Sequence, residues 1–535
     1  MVNRLKQAFE QKEFVVTCEL VFGRGASEAG QIKEFKEAEL IWKTGRVHAI
    51  SLTDNPGGNP ALLADVIAAE LQAQGITPLV HVSGKDRNRN QLQSQLYALQ
   101  RQGVENLLVM TGDYPVSGWA GRPRPVFDID SVQMLELLGE MNEGLEYATV
   151  RGSAKDQASH FFAGAVISPF KWTEAESILQ YQKLKKKVVS GAQFIITQLG
   201  YDARKMQELL FYLKEQKLDV PVIANIYLLT PASARHMKRG GIPGCYMSDE
   251  LLNAVEAEAS FADRGLEARY QRAAKMIAVA RGLGYAGAHI GGMGLTASAV
   301  EYILDTADTL QGQWRLWAAE LQYGEQRGQT GGWYYYQPEV DDNGVPTGLN
   351  VCEHTALSEV SRARKLAKGY GFSRFFHALV LTKDKGFYGA LKRVMEFRDR
   401  KRGLNRPHGF EHLVKAALYG CVDCGDCGLE ACGYSCPMAQ CPKCQRNGPC
   451  GGSFNGWCEV YPNERYCIYY KAYYRLKKYG ELYKLDSFIT PPNNWDFYTT
   501  SSWSNYTHER DNTSRRQYLN EGKDKYLGKG KDRER

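Results

Sequence analysis

Eight short apolar runs lie between residues 14 and 293 of this 535-residue chain, separated by segments with the spacing of amphipathic helices. The runs are rich in Val, Ile and Leu without strict alternation, which is typical of parallel strands covered on both faces. Eight such βα units predict an α/β fold with a (β/α)8 TIM-type barrel, and a doubly wound sheet is the alternative. The runs occupy residues 14–20, 48–54, 77–83, 106–113, 161–168, 194–202, 221–229 and 285–293.

Ionisable and amide side chains collect at the predicted carboxyl ends of these runs. A single Asp or Thr at such a position is more often the N-cap of the following helix. The whole set predicts a catalytic mouth, because barrel enzymes build their sites at the carboxyl ends of the strands. Such a mouth suits protonation of a substrate and hydrogen bonding to a flat heterocycle. The set comprises Glu19, Thr53, Asp54, Asn55, His81, Thr111, Gly112, Asp113, Thr197, Gln198 and His289.

Ten of the thirteen cysteines lie in one stretch, from Cys421 to Cys467. Thiols at this density are disulfides or metal ligands. The chain has no apolar signal segment and no apolar run near the ~20 residues that cross a bilayer. We therefore expect a cytoplasmic protein, in which disulfides are rare and the cysteines bind metal.

The cysteine spacing favours iron–sulphur clusters over zinc, which remains the alternative metal. Cys421, Cys424 and Cys427 have the CxxCxxC spacing of a ferredoxin-type [4Fe–4S] site. Cys436 and Cys441 are each followed by proline, as is a cluster ligand of bacterial ferredoxins.

Composition predicts the domain organisation. Residues 1–310 hold the barrel, and a break rich in Gly and aromatic residues at 311–375 is interpreted as a connecting segment. Helical patterning and the cysteines predict a small metal-cluster domain at 376–485, and residues 486–535 an extended segment with a basic tail. The net charge of +7 is modest, and no basic and aromatic module accompanies it, so we expect no nucleic-acid partner.

The order of the barrel motifs resembles that of methylenetetrahydrofolate reductases. The string CVDCGDCGLE…CP…CPK…NGPCGG…CEV…C is similar to the small iron–sulphur subunit that accompanies this enzyme in anaerobic bacteria. The resemblance implies reduction of 5,10-methylenetetrahydrofolate to 5-methyltetrahydrofolate by a flavin hydride, with electrons supplied through [4Fe–4S] clusters. It also implies an electron-donor protein, namely a ferredoxin, a flavoprotein or an NADH-oxidising subunit, and an oligomeric assembly.

Three barrel residues match the family's catalytic and substrate-binding positions. Glu19 matches the general acid that protonates N10 of the substrate, and a raised pKa is implied for it. Asp113 matches the aspartate that contacts the pterin and stabilises the developing cation. Gln198 matches the glutamine that binds the pterin edge.

The flavin-holding positions of the family match Thr53, His81, Gly112 and Lys187. Lys187 also stands in a run of three lysines, for which the alternative is a solvated helix face. The sequence AVISPFKW replaces the family's stretch that helps to bind the adenine end of FAD and the nicotinamide donor. FMN is therefore a candidate beside FAD, and the replacement suits an enzyme that receives its electrons through metal clusters.

Eight cysteines match those that recur in the related small subunits, and eight ligands suit two [4Fe–4S] clusters. Spacing does not assign ligands to clusters, and Cys432 and Cys444 are spare or alternates. The eight matching residues are Cys421, Cys424, Cys427, Cys436, Cys441, Cys450, Cys458 and Cys467.

Two other functions compete with the reductase. The first is a folate-dependent methyltransferase that passes a methyl group to a corrinoid protein, which needs neither flavin nor a general acid. The second is a barrel scaffold with a zinc-bound interaction module.

Overall fold

The computed structural model describes residues 2–322, 332–358, 366, 369–383, 385–402 and 409–519. The strands in chain order are β1 (Val15–Leu20), β2 (Ala49–Leu52), β3 (Pro78–Ser83), β4 (Asn106–Met110), β5 (Glu146–Thr149), β6 (Gly152–Lys155), β7 (Phe162–Ile167), β8 (Phe194–Thr197), β9 (Val222–Tyr227), β10 (Gly287–Gly291), β11 (Tyr336–Val340), β12 (Pro346–His354), β13 (Phe488–Ile489) and β14 (Gln517–Tyr518).

The helices surround the barrel and build the carboxyl-terminal part. They are α1 (Arg4–Glu10), α2 (Ala29–Lys43), α3 (Ala64–Ala73), α4 (Arg89–Arg101), α5 (Ser131–Glu143), α6 (Glu174–Val189), α7 (Ala203–Glu215), α8 (Pro231–Lys238), α9 (Asp249–Glu258), α10 (Leu266–Leu283), α11 (Ala297–Leu310), α12 (Trp314–Glu320), α13 (Tyr370–Phe376), α14 (Tyr388–Arg402), α15 (Gly409–Tyr419), α16 (Pro437–Gln440), α17 (Ile468–Lys478) and α18 (Ser502–Thr507). Within the described ranges, no helix is long and apolar enough to cross a membrane.

Strands β1–β4 and β7–β10 pair in parallel and close into a barrel, with β10 beside β1. The predicted (β/α)8 barrel is confirmed, and the open doubly wound sheet is excluded. The long interval between β9 and β10 holds α8, α9 and α10. The register sets Thr17 beside His289 and Glu19 beside Ser51.

Apolar side chains close the amino ends of the barrel strands. Helix α1 contributes Leu5 and Phe9 to this floor, and the Phe9 ring centroid lies 5.4 Å from that of Phe194 and 5.7 Å from that of Phe162. Polar groups can therefore gather only toward the opposite, carboxyl ends of the strands, where the loops leave room for a site.

The predicted connecting segment at 311–375 includes structure that packs on the barrel. Its antiparallel pair β11–β12 lies against α7. There the Arg204 guanidinium donates a hydrogen bond of 2.9 Å to the Asn350 side chain, and both residues are buried.

The chain beyond the cysteines returns to the barrel wall. The Gln133 side chain of α5 donates to the Thr490 carbonyl at 2.9 Å. The Trp495 indole donates to the Asp128 carboxylate at 2.8 Å. This extended segment therefore packs on the barrel. The predicted basic tail, residues 522–535, lies outside the described residues.

Candidate active site at the barrel mouth

Glu19, at the end of β1, shares the barrel interior with two buried histidines. Its carboxylate Oε2 lies 3.5 Å from Nε2 of His289. The other ring nitrogen of His289, Nδ1, is 2.7 Å from the Thr17 hydroxyl. The Nε2 atom of His81 is 2.8 Å from the Ser51 hydroxyl. Each imidazole is thus oriented by a hydroxyl on a neighbouring strand.

The histidines determine the charge state of Glu19. Burial raises the pKa of Glu19, but the hydrogen bond and charge of His289, together with the charge of His81, outweigh burial and leave this pKa below its ordinary value. Burial also lowers the pKa of His81 to about 4, so this ring is neutral near pH 7 and its charge acts on Glu19 only under acidic conditions. This direction is opposite to the raised pKa implied by the resemblance, because the hydrogen bond and charge of His289 oppose the effect of burial.

Tyr227, at the end of β9, was not singled out from the sequence. Burial raises its pKa, and the charge of Glu19 raises it further, so its hydroxyl stays protonated near the acidic group. A tyrosine in an apolar strand is usually core, and nothing local marks this one.

The Thr111-Gly112-Asp113 loop follows β4 at the same end of the barrel. The Asp113 carboxylate accepts a hydrogen bond of 2.8 Å from the Gly57 amide. Gly112 has φ of +87°, and a Cβ there would lie 2.8 Å from that of Ser83, so only glycine fits. The Gly112 carbonyl accepts a hydrogen bond of 2.7 Å from the Lys443 ammonium, which belongs to the cysteine-rich stretch.

Of the remaining strand-end residues, some have side chains that a ligand could contact, and others already form buried ion pairs. Thr53 and Gln198 are half-buried at the ends of β2 and β8. The Gln198 amide donates to the Pro243 carbonyl at 3.4 Å, a long hydrogen bond that a ligand could replace. Asp54 is committed, because it forms a buried ion pair with Arg87 at 2.7 Å.

Lys187, the fourth residue matched to the flavin-holding positions, lies on α6. Its ammonium reaches from α6 to the Val166 carbonyl of β7, and the residue is buried. Burial, reinforced by the charge of Lys183, lowers its pKa to about 7. The alternative of a solvated helix face is wrong: Lys186 is buried too, and Lys185 pairs with Asp486 at 3.7 Å. The returning carboxyl-terminal segment covers this face.

Two cavities divide eight of the cysteines into sets of four. None of the thirteen cysteines, all of which are described, forms a disulfide. The outer thiol set lines one cavity and comprises Cys421, Cys424, Cys427 and Cys436. The inner thiol set lines the other and comprises Cys441, Cys450, Cys458 and Cys467. These are the eight cysteines that match the related small subunits. The first four of them along the chain form the outer set, and the last four form the inner set.

The number of thiols bears on the metal. Each cavity is lined by four cysteines, which is the ligand number of a tetrahedral zinc site and of a [4Fe–4S] cluster. Among the described residues, only Glu19, His81 and His289 form a group of three or more possible ligands whose atoms all lie within 4.8 Å. Four thiols per cavity therefore suit either metal centre.

Two cysteines of the stretch lie outside both cavities. Cys432 is fully buried, and its sulfur lies 3.5 Å from the Tyr469 hydroxyl. Cys444 has φ of +46° and lines neither cavity. Their positions fit the prediction that they are spare.

Residues between the cysteines of the inner thiol set form buried polar contacts with the barrel beside the end of β4. Besides the bond from Lys443 to Gly112, Lys183 of α6 donates to the Gln445 side-chain oxygen at 2.9 Å. The Thr111 hydroxyl donates to the same oxygen at 3.2 Å. Partners in these contacts are 262 to 334 residues apart in the chain, so no local pattern indicates them.

The loop after β7 is a second anchor. Here lies the sequence AVISPFKW, in which Lys171 is buried and donates to the carbonyls of Gly451 and Ser453, the latter at 2.8 Å. The next residue, Trp172, packs on Tyr246 with ring centroids 4.5 Å apart. The loop is therefore covered by the cysteine-rich stretch.

Asp130 provides the third anchor, at the amino end of α5. Its Oδ1 caps the helix by accepting from the amides of Val132 and Gln133. Its Oδ2 accepts from the amides of Arg446 and Asn447, the latter at 2.9 Å. One buried carboxylate thus joins a barrel helix to the cysteine-rich stretch.

Known proteins resemble both parts of this chain. A family model described as methylenetetrahydrofolate reductase matches residues 4–300. A second, described as methylene-tetrahydrofolate reductase C terminal, matches residues 404–496.

Two individual proteins share parts of the chain. Methylenetetrahydrofolate reductase 2 of Saccharomyces cerevisiae is 23% identical over 207 residues, which are 37% of this chain and 32% of the yeast protein. The chain thus spans about a third of the length of that relative. A solved structure of an uncharacterized protein from Clostridium thermocellum, described as binding two copies of 5-methyl-5,6,7,8-tetrahydrofolic acid, is 12% identical. It covers 57% of this chain and 98% of its own, with a TM-score of 0.40.

The first family model spans more than half of the 535 residues and includes all eight barrel strands. The chain therefore belongs to the methylenetetrahydrofolate reductase family.

Proposed function

We propose that this protein reduces 5,10-methylenetetrahydrofolate to 5-methyltetrahydrofolate, with a bound flavin and two [4Fe–4S] clusters. Family membership supports the reaction. The observation that carries the proposal is the placement of Glu19 and its histidines in the mouth to which the inner thiol set is fastened. When bound, the flavin supplies hydride and the clusters supply single electrons. The acid chemistry and the positioning belong to the side chains of this chain.

Glu19 is the proposed general acid, which protonates N10 and opens the five-membered ring of the substrate. It needs a proton that its lowered pKa does not favour, and His289 is the neighbour that can share one. The Thr17 hydroxyl can donate to or accept from Nδ1 of His289, so either tautomer of the ring is accommodated. The pair can therefore hold the proton on the carboxylate or on Nε2 and pass it to the substrate.

Two residues are proposed to bind the pterin. The Asp113 carboxylate, held by the Gly57 amide, would stabilise the cation that develops after ring opening. The Gln198 amide would leave the Pro243 carbonyl and pair with the heterocycle edge.

Thr53, His81 and Gly112 are proposed to hold the flavin, since all three border the mouth. Lys187 is proposed as the fourth residue of this set, and its ammonium donates to the Val166 carbonyl near the carboxyl end of β7. The loop that carries Lys171 corresponds to the family's adenine-binding stretch and is covered by the Gly451 and Ser453 backbone. That cover favours FMN over FAD.

The outer and inner thiol sets are proposed as the ligands of one cluster each. The CxxCxxC spacing and the two Cys-Pro pairs favour iron–sulphur clusters over the zinc-bound scaffold. The methyltransferase alternative leaves Glu19 and both thiol sets without a role.

Cofactor content tests the proposal directly. Protein purified without oxygen is expected to carry about one flavin and about eight irons per chain, and to oxidise 5-methyltetrahydrofolate with a dye as electron acceptor. Absorbance spectra, metal analysis and flavin extraction measure these contents. Zinc without iron would establish the scaffold, and methyl transfer to a corrinoid protein without bound flavin would establish the methyltransferase.

His289→Gln is expected to move the pH dependence of folate reduction to higher pH. Reduction needs protonated Glu19, so the rate falls as pH rises through the pKa of this group. The hydrogen bond and charge of His289 are the largest effects that lower this pKa, and without them only the charge of His81 opposes the rise caused by burial. Rates measured across the pH range check the shift, with His236→Gln on the exposed surface of α8 as the control. An unchanged pH dependence would show that His289 does not control the protonation of Glu19.

A further inference from the structure

An apolar groove of about 270 Å³ opens beside the outer thiol set. Helices α13, α15 and α18 line it with aromatic and aliphatic side chains, among them Phe372, Phe410, Leu418 and Trp503. None of the residues Glu19, His81 and His289 of the barrel mouth lines this groove.

Large apolar side chains remain exposed around this groove. Phe410 and Leu413 of α15 are 70% and 66% exposed, and Leu418 of the same helix is 53% exposed. Phe372 and Phe375 of α13 are each 64% exposed. Contiguous exposed apolar surface of this kind marks an interaction site in soluble proteins. These five residues are called the groove face below.

The groove leads to the outer thiol set. Cys427 and Lys415 line both the groove and the cavity of that set. The Lys415 ammonium is buried and bonds the Ser502 hydroxyl at 2.5 Å and the Glu411 carboxylate at 3.3 Å. The inner set is fastened to the barrel, so the outer set is the one that a second molecule can approach.

The surface beside the groove is strongly basic. Residues 385–402, which include α14, hold seven Lys or Arg and two acidic residues, a net charge of +5 (7 − 2). Lys392 and Arg393 are exposed, whereas the acidic Asp399 already pairs with Arg510 at 3.4 Å. Helix α14 packs against α18, whose Trp503 and Tyr506 line the groove.

We propose that the groove face and the basic α14 surface dock a small acidic electron-transfer protein next to the outer thiol set. The proposal deepens the proposed function and rests on it. Apolar contact supplies affinity, and the basic surface steers an acidic partner to the face. A second copy of this chain is disfavoured, because a two-fold interface would place two α14 helices of net positive charge near each other.

The test is binding of a small acidic [4Fe–4S] ferredoxin to the full-length, cofactor-loaded protein, followed by calorimetry at two salt concentrations. We expect salt-sensitive binding that weakens at least tenfold in Lys392→Glu/Arg393→Glu and in Phe410→Ser/Leu413→Ser. The matched control is Lys33→Glu/Lys36→Glu on α2, whose exposed lysines lie on the outer wall of the barrel and should leave binding unchanged.

Three outcomes would overturn the docking proposal: no binding, equal loss of binding in the control, or a self-association of the chain that the groove variants abolish. Reduction of methylenetetrahydrofolate with an artificial dye as electron donor distinguishes the docking proposal from the proposed function. Groove variants that keep dye-driven activity at the wild-type rate leave the proposed function standing whatever the ferredoxin does. A wild-type protein without flavin or dye-driven activity fails as a reductase whether or not ferredoxin binds.

Discussion

Glu19→Gln is expected to lower the rate of folate reduction about 100- to 10,000-fold, the usual contribution of a positioned general acid. The amide has nearly the same shape but cannot deliver a proton to N10. Flavin and iron contents should not change, because the side chain is not among the residues proposed to hold either group. Dye-driven oxidation and reduction of the folate pair, with cofactor analysis of the same sample, check both expectations.

The matched control for this change is Glu13→Gln. Glu13 is half-exposed and pairs with His48 near the amino end of the barrel, remote from the mouth. Its substitution should leave the rate within a factor of about two, since exposed pairs contribute little. Full folate turnover in Glu19→Gln would contradict the acid role and favour the corrinoid methyltransferase.

Cys450→Ser is expected to remove one of two clusters, so that iron falls to about half of the wild-type content. Cys450 lines the inner cavity with three other thiols, and a cluster with three of its four protein ligands is readily lost. Cys424→Ser should cause the same loss from the outer cavity. Iron analysis and electron paramagnetic resonance of the reduced proteins distinguish the two remaining clusters by their spectra.

Cys432→Ser is the control within the same stretch, because Cys432 is buried against Tyr469 and lines neither cavity. It should keep the full iron content. Equal iron loss in Cys432→Ser and Cys450→Ser would show that the eight cysteines are divided wrongly, and zinc in place of iron would replace the cluster assignment altogether.

The sequence was sufficient for the barrel and for the position of its mouth, because both depend on local patterns. The residues of each apolar run are enough to predict a strand. Polar residues at the carboxyl ends of these strands then meet at one end of a parallel barrel. Glu19, His81 and His289 are therefore found together, as their positions predict. The roles assigned to them by resemblance stay predictions.

Electrostatics could not be predicted in the same way. The pKa of Glu19 depends on an atom of His289 only 3.5 Å away in space but 270 residues away in the chain. Three consecutive lysines at 185–187 have the pattern of a solvated face, yet the returning carboxyl-terminal segment buries two of them. The division of the cysteines likewise depends on the path of loops with no regular periodicity.

The buried contacts between the barrel and the cysteine-rich stretch affect whether either part can be produced without the other. A chain cut at residue 310 would leave the ammonium groups of Lys171 and Lys183, both now buried, without the acceptors supplied by Ser453 and Gln445. Buried charges that lose their partners are costly, so the severed barrel would open these regions to water. Although the two parts match separate family models, we expect a transplanted barrel to need its own cysteine-rich cover.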